Sequence, residues 1–463
     1  MTVPKTVETP YEPPRIFGPA YRTASFGILL VVTLIAFEGM SVGAIMPAVS
    51  KDLHALDLYG MSFSAFLIAG LFANVVAGLW SDRRGHAAPF LLGVGLFVAG
   101  MALAGAAGSK ELFIVARAVQ GLGGGATIVA TYVMIARVYP PVVRPKVFAA
   151  LSAAWVLPAM IGPSVGGAIA EVFSWRWVFY GIVPLVIPAM LMLLPALRTG
   201  GGPAPVPATG PRSRPLAMTL SAAATAAGAG VLLYGVDRLH TAPVVGGVAT
   251  AVGLAGLVAG LPRLLPVGAL RFGRGLPTTI MMRGLLSSAF FGVNSFIPLV
   301  LTSVRGFSVA EAGIALTTGA LGWSTGSYLQ SRRDYDRALL VRIAAAAVTA
   351  GILATLLSLV PGVTGWIDVP AWIIAGFGMG VGVASISVTA MRQSPDEEQG
   401  ANSAALQVVD TLGSALMIGF GGVLINLVGH DDIATGYAMI VILTAAVGLF
   451  GTIIAVRMRE PVS

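Results

Sequence analysis

The chain is a long succession of apolar stretches separated by short polar loops, and only one polar interval, near its middle, is much longer than a turn. A membrane-spanning helix needs about 20 apolar residues. Fourteen stretches satisfy that length, beginning near residues 24, 58, 88, 112, 146, 175, 215, 242, 280, 308, 338, 366, 401 and 434. The pattern therefore predicts fourteen spanning helices and an all-α polytopic membrane protein. The glycine-rich pair at 215–261 admits a second reading as one re-entrant hairpin. RTGGGPAPVPATGPRSRP, residues 198–215, is rich in Gly and Pro and carries three arginines, so it reads as a flexible linker. The organisation expected is a tail at 1–23, a six-helix bundle at 24–197, a linker at 198–214 and two additional helices at 215–261. A loop at 262–279, a second six-helix bundle at 280–457 and a short tail at 458–463 complete it.

Composition agrees with the pattern: of 463 residues 56% are hydrophobic and only 10% charged, more apolar than a soluble surface tolerates. The first apolar stretch is too long for a cleaved signal peptide and is expected to remain as the first helix. Gly and Pro, at 59 and 29 residues, are at home in membrane spans, where small residues let backbones approach and neighbours satisfy freed carbonyls. Cysteine is absent, which removes disulfides and thiolate chemistry. The formal net charge of +8 raises the question of nucleic acid, but the basic residues fall in alternate loops. With a cytoplasmic amino terminus, 22 Lys and Arg lie in the tails and even-to-odd loops, Lys51, Lys110, Arg176, Arg238 and Arg305 lie on the other side, and Arg117 lies within a span. That asymmetry places both termini in the cytoplasm of a multi-pass protein of the cell membrane. No nucleic-acid partner is expected.

A charged side chain at the bilayer centre costs roughly 2.5 to 3.5 kcal/mol even on lenient scales, so deep charges are functional candidates. Three stand out. Glu38 is about 21 Å into helix one at 1.5 Å per residue, Asp410 lies near the centre of helix thirteen, and Arg117 enters helix four from the outer side. Low dielectric favours the neutral form of a carboxyl, and a neighbouring guanidinium favours the charged form. Together they make a proton switch in which Glu38 or Asp410 takes a proton from outside and releases it inward, tuned by Arg117. Asp410 has a second reading, a helix-to-helix hydrogen bond near Gln407 or Asn402, and Arg117 a purely structural one. Phe37, Met40, Gln120 and Asn294 are candidates for a substrate cavity, although the polar two serve equally well as interhelical hydrogen-bonding groups. So few deep charges suit an apolar or cationic amphiphile better than a sugar phosphate. The four histidines are scattered over different loops, no HExxH pair occurs and no GxxxxGK[ST] loop is present. No enzyme activity, cofactor or metal is expected, and an ion gradient is the expected energy source.

Two segments suggest moving parts. GLWSDRRGHAAP, residues 78–89, sets Asp82, Arg83 and Arg84 at the membrane rim, where they read as a charge clasp between helices or as a positive-inside loop. SRRDYDR, residues 331–337, takes the corresponding place in the second half. QGLGGGA at 120–126 and IGPSVGG at 161–167 give helices four and five faces nearly free of side chains, for close packing or for rocking at a seam.

These residues resemble the major facilitator superfamily, in particular its fourteen-helix drug:proton antiporters, along essentially the whole chain. Gly78, Asp82, Arg83 and Gly85 match the superfamily loop motif, with His86 and Ala87 where its later basic pair would stand. RAVQGLGGGA at 117–126 is similar to the helix-four motif. PAMIGPSVGG at 158–167 is similar to the antiporter motif through Gly162, Pro163, Gly166 and Gly167, with Pro158 replacing its first glycine. SWRWVF at 174–179 is similar to the start of helix six. FEGMSVGAIMP at 37–47 carries the acid nine positions before a proline, with Met40 and Gly43 where Thr and Asn are usual. The resemblance implies two six-helix bundles plus two additional helices, and proton-driven efflux of lipophilic or cationic small molecules by alternating access. Its implied partners are a small-molecule substrate, protons and the bilayer, with the chain acting as a monomer. A proton-coupled importer or exporter of a specific metabolite or lipid, and a non-transporting receptor or scaffold, remain as alternatives.

Overall fold

Fourteen helices carry the computed structural model, which describes residues 16–19, 21–199, 215–332, 335–429 and 432–459. The first six are α1 (Arg22–Asp52), α2 (Tyr59–Arg84), α3 (Ala87–Gly105), α4 (Lys110–Val138), α5 (Arg144–Val172) and α6 (Arg176–Arg198). Then come α7 (Pro215–Arg238) and α8 (Pro243–Leu264). The last six are α9 (Leu276–Ser303), α10 (Val309–Ser331), α11 (Arg337–Ala354), α12 (Asp368–Gln393), α13 (Gln399–Val428) and α14 (Ile433–Ile454). Helix beginnings follow the polar punctuation. Ser109 caps α4, Ser308 and Glu311 form a reciprocal capping box on α10, and Asp336 and Asp432 cap α11 and α14.

Thirteen of these helices are long and apolar enough to cross a membrane, and α10, at 23 residues, is long enough while carrying more hydroxyl groups. The pair at 215–261 forms two helices of 24 and 22 residues, so the re-entrant alternative falls. α9 begins at Leu276, four residues earlier than the hydrophobic pattern indicates, because Pro277 is tolerated in the first turn and Thr278 and Thr279 return their hydroxyls to Gly273 and Gly275 carbonyls. The linker, most of the amino-terminal tail and the last residues of the carboxyl-terminal tail lie outside the described residues. Many large apolar side chains point outward, Val244, Val248, Leu216 and Ile453 among them. Such exposure would drive a soluble protein to aggregate and instead suits lipid.

α1 packs on α5 and α6, and α2 and α3 pack on α4. In the later part of the chain α9 packs on α13 and α14, α10 on α12, and α11 on α12 and α14. α7 and α8 pair with each other, and α7 also lies against both α2 and α13. Between the two groups of six the main crossings are α5 with α10 and α2 with α13. Glycines make those crossings possible: a Cβ on Gly60 would stand 2.6 Å from Ile418 O and 2.8 Å from the Gly422 Cα. The first three turns of α2 and α10 supply the polar crossings. Tyr59 donates to Ser295 O at 3.0 Å, Ser64 to Ala415 O at 2.7 Å, and the Ser164 and Thr317 hydroxyls meet at 3.0 Å. All of these lie at the helix ends joined by the loops poor in Lys and Arg.

Candidate functional site

Glu38 occupies the fifth turn of α1 and Arg117 the third turn of α4. Arg117 Nη1 donates to Glu38 Oε1 at 2.5 Å and to Gln120 Oε1 at 2.6 Å. Gln120 lies three residues further along α4, on the same face as Arg117. The Phe66 ring, from α2, lies 4.5 Å under the guanidinium and covers the flat face that hydrogen bonds leave unsatisfied. The ion pair is sealed, with the side chains of Arg117 and Glu38 3% and 0% exposed. Yet it is incompletely satisfied, since Glu38 Oε2, Arg117 Nε and Gln120 Nε2 meet no hydrogen-bond partner. Desolvating two charges costs several kcal/mol per ion, which only close pairing offsets.

A second pair stands in the later six helices. Arg283 Nε donates to Asp410 Oδ1 at 2.9 Å and its Nη2 to Oδ2 at 3.4 Å, a fork from α9 to α13. Ser287, four residues along α9 from Arg283, donates to the same Oδ1. This pair is open, with Arg283 and Asp410 side chains 15% and 22% exposed. Arg117 therefore pairs with Glu38 and not with Asp410. Arg283 reads in the sequence as a loop charge at the edge of helix nine, and the early start of α9 carries it eight residues into the span. The helix-to-helix hydrogen bonds of Asp410 thus come from Arg283 and Ser287 rather than from Gln407 or Asn402, whose amide donates to Ser394 at 3.0 Å.

At the rim loop the charge that acts on Asp82 is Arg137 of α4 rather than its neighbours Arg83 and Arg84. Asp82, Arg83 and Arg84 are exposed, and no ion pair joins Asp82 to either arginine among the described pairs. Gly85 takes φ 89°, a conformation other residues rarely adopt, and turns the chain sharply after α2. Those three side chains stay on the solvent side of the turn, while Arg137 on α4 donates to Ser81 O at 3.1 Å. Gly78 faces α4, where an added Cβ would stand 3.6 Å from Val129. His86, wholly buried, places Nε2 3.4 Å from Ala196 O and leaves Nδ1 without a partner. Burial holds its imidazole below the usual histidine range, with Arg137 pushing the same way and the Ala196 carbonyl opposing. In the second half Asp336 pairs with Arg459 and Arg337 with Gln330.

The helix-five glycines meet two helices at once. A Cβ on Gly162 would come within 3.1 Å of Met40, one on Gly166 within 2.7 Å of Ser41, and one on Gly167 within 2.8 Å of Ala310. Ser41 donates to Gly162 O at 2.9 Å, and Gly313 sits against Pro163 O. Residues 39–43, 162–166 and 322–326 each spell Gly-x-Ser-x-Gly, but all three lie on helices rather than at the strand-to-helix elbow that exposes a serine nucleophile.

Of the cavity candidates, Phe37 and Met40 are half-buried beside the α1 and α5 crossing. Gln120 is fully buried, and its Oε1 accepts from Arg117. Asn294, half-buried, accepts from Trp372 Nε1 at 3.1 Å. Trp372 stacks on Phe290 at 4.7 Å, and Trp323 meets Phe290 edge-on at 5.8 Å. Neither this aromatic group nor Arg283, Ser287 and Asp368 stood out in the sequence, because each depends on which faces of distant helices meet.

The chain belongs to the Major Facilitator Superfamily, whose family model matches residues 28–418. It is a multi-pass membrane transporter, not an enzyme. It is 25% identical to a probable multidrug-efflux transporter of Mycobacterium tuberculosis, over 91% of this chain and 92% of that protein. It is 24% identical to the multidrug transporter protein MdtP of Bacillus subtilis, over 86% of this chain and 74% of that protein. Among solved structures, a POT family transporter in complex with a thioalcohol conjugated peptide shares the fold with a TM-score of 0.68, at 14% identity over 94% of this chain and 97% of that one. A D-xylose-proton symporter does so with a TM-score of 0.65, at 17% identity over 94% and 97%.

Proposed function

We propose that this transporter exports lipophilic or cationic small molecules in exchange for protons, by rocking one six-helix bundle against the other. The supporting observation is the unequal state of two carboxyl–guanidinium pairs, Glu38–Arg117 sealed and Asp410–Arg283 open, in a chain whose halves meet at one end of α2 and α10. The positive-inside asymmetry supports placing that closed end outside, and we infer that the described state is the one facing the cytoplasm. Pairing with Arg117 favours the charged form of Glu38. In the cycle we infer, substrate enters from the cytoplasm toward Asp410, Arg283, Phe37 and Met40 while Glu38 holds no proton. After the exchange of access, a proton from outside neutralises Glu38 and loosens Arg117, and the substrate leaves.

The bundles in this reading are residues 24–197 and 280–457, with both termini cytoplasmic, one chain acting alone in the cell membrane and no cofactor. The Gly162, Pro163, Gly166 and Gly167 face serves as the sliding seam with α1 and α10, and the Gly78 to Gly85 loop as the cytoplasmic end of the switch. Multidrug efflux in the relatives' names supports the export direction. Cells producing the protein should accumulate less of a lipophilic cationic dye, and an uncoupler that collapses the proton gradient should abolish the difference. Greater accumulation in producing cells would reverse the direction and support the importer reading.

A further inference from the structure

Asp368 opens α12 in the second bundle, at the end where α12, α14 and the turn after α11 meet, and it belongs to neither carboxyl–guanidinium pair. Its side chain is 0% exposed and neither carboxyl oxygen has a hydrogen-bond partner, backbone N–H groups of its own first turn included. Its surroundings are hydroxyls. Tyr437 of α14 is equally buried, with its own hydroxyl unpartnered, and stands close enough to interact with the Asp368 charge. Ser358 lies beside the carboxyl, with Thr355 next to Tyr437. Both of their O–H groups are spent on backbone, Ser358 on Thr355 O at 2.7 Å and Thr355 on Ile352 O at 2.7 Å. Arg305, in the loop after α9, acts on Asp368 by its charge, without an ion pair among the described residues.

With the Ser358 and Thr355 hydroxyls donated to backbone, the Tyr437 hydroxyl is left as the free donor beside the carboxyl among the described residues. An ionised carboxylate there would be a poorly compensated buried charge, whereas the acid form adds a donor for the Ser358 oxygen and keeps an oxygen able to accept from Tyr437. We propose that Asp368, with Tyr437, Ser358 and Thr355, is a proton-binding site on the side of the loops poor in Lys and Arg, separate from Glu38 and Asp410. Trp372, one turn further along α12, stacks on Phe290 and donates to Asn294, so a proton gained or lost at the head of α12 bears on that aromatic wall. The site stands on its own residues and does not depend on the direction of transport.

Infrared spectroscopy of the full chain in liposomes at pH 7 tests it without any transport assay. Wild type should show a protonated-carboxyl C=O stretch that persists in the Glu38→Gln, Arg117→Gln double variant and disappears in Asp368→Asn. Raising the pH should remove the band, and Tyr437→Phe, which takes away the neighbouring free hydroxyl, should move the midpoint of that titration. Absence of the band in wild type, or its survival in Asp368→Asn, would overturn the proposal. Should Asp368→Asn fail to insert, an unchanged titration in Tyr437→Phe overturns it by itself.

Discussion

A single nitrogen of Arg117, Nη1, reaches both Glu38 at 2.5 Å and Gln120 at 2.6 Å, while the second oxygen of Glu38 meets nothing. The pair is a lock with one open position, and its halves are not separable in cost. Removing one partner of a buried pair leaves the other as a bare charge, at about 3 to 5 kcal/mol, whereas removing both is far milder. Glu38→Gln alone and Arg117→Gln alone are therefore expected to lower the thermal stability of purified protein strongly. The double variant should recover most of the loss. Additive losses in the double variant would show that the two side chains do not depend on each other.

Asp410 and Arg283 keep partial access to solvent, so their separation should weigh on turnover more than on stability. Asp410→Asn is expected to insert and unfold much like wild type while slowing proton-linked transport about tenfold, equivalent to about 1.4 kcal/mol of barrier. Vesicle transport rates beside unfolding curves separate the two effects. A variant with wild-type turnover would remove Asp410 from the cycle.

The chain has no cysteine, which makes introduced thiols clean reporters of the seam. The Ser164 and Thr317 hydroxyls meet at 3.0 Å, close enough for a cysteine pair at these positions to bridge. Oxidation of the Ser164→Cys, Thr317→Cys protein should hold the bundles together at that end and stop transport, and reduction should restore it. Full transport by the oxidised, demonstrably cross-linked protein would mean that this end never opens.

His86 provides a pH test at the membrane rim. Burial depresses its folded-state value, so the unfolded chain binds the proton more readily. The stability it confers should be complete above about pH 6.5, the value of a free imidazole, and drain away as pH falls through the lower folded value. Thermal unfolding between pH 8 and pH 5 should show that loss in wild type and a flatter profile in His86→Gln. Identical profiles would place the acid sensitivity elsewhere.

Much of this architecture is legible in the sequence because membrane spans obey a length rule and a charge rule. The glycine-rich stretch at 215–261 resolves into two helices, as counting apolar residues suggests, and Glu38 and Arg117 are conspicuous by depth alone. Their pairing is not legible, since it requires the rotation of α1 and α4 about their own axes. The start of α9, four residues earlier than the hydrophobic pattern indicates, hides Arg283 in the sequence and makes a half-buried guanidinium within the span resemble one more positive-inside charge. Asp368 sat at a predicted boundary, where a carboxylate ordinarily meets water. The Asp82 loop was legible as a motif, but that Arg137 of α4 is the charge acting on Asp82 was not, since it depends on how α2 and α4 meet.

The central claim is exchange of a proton for an outgoing substrate through Glu38. The most direct measurement follows internal pH and a lipophilic cationic dye together, in liposomes with an imposed pH gradient, for wild type beside the Glu38→Gln, Arg117→Gln double variant. The account predicts dye movement against its gradient with protons moving in the opposite sense in wild type, and neither coupled movement in the intact double variant. Dye and protons moving together, or a double variant that still couples them, would contradict it.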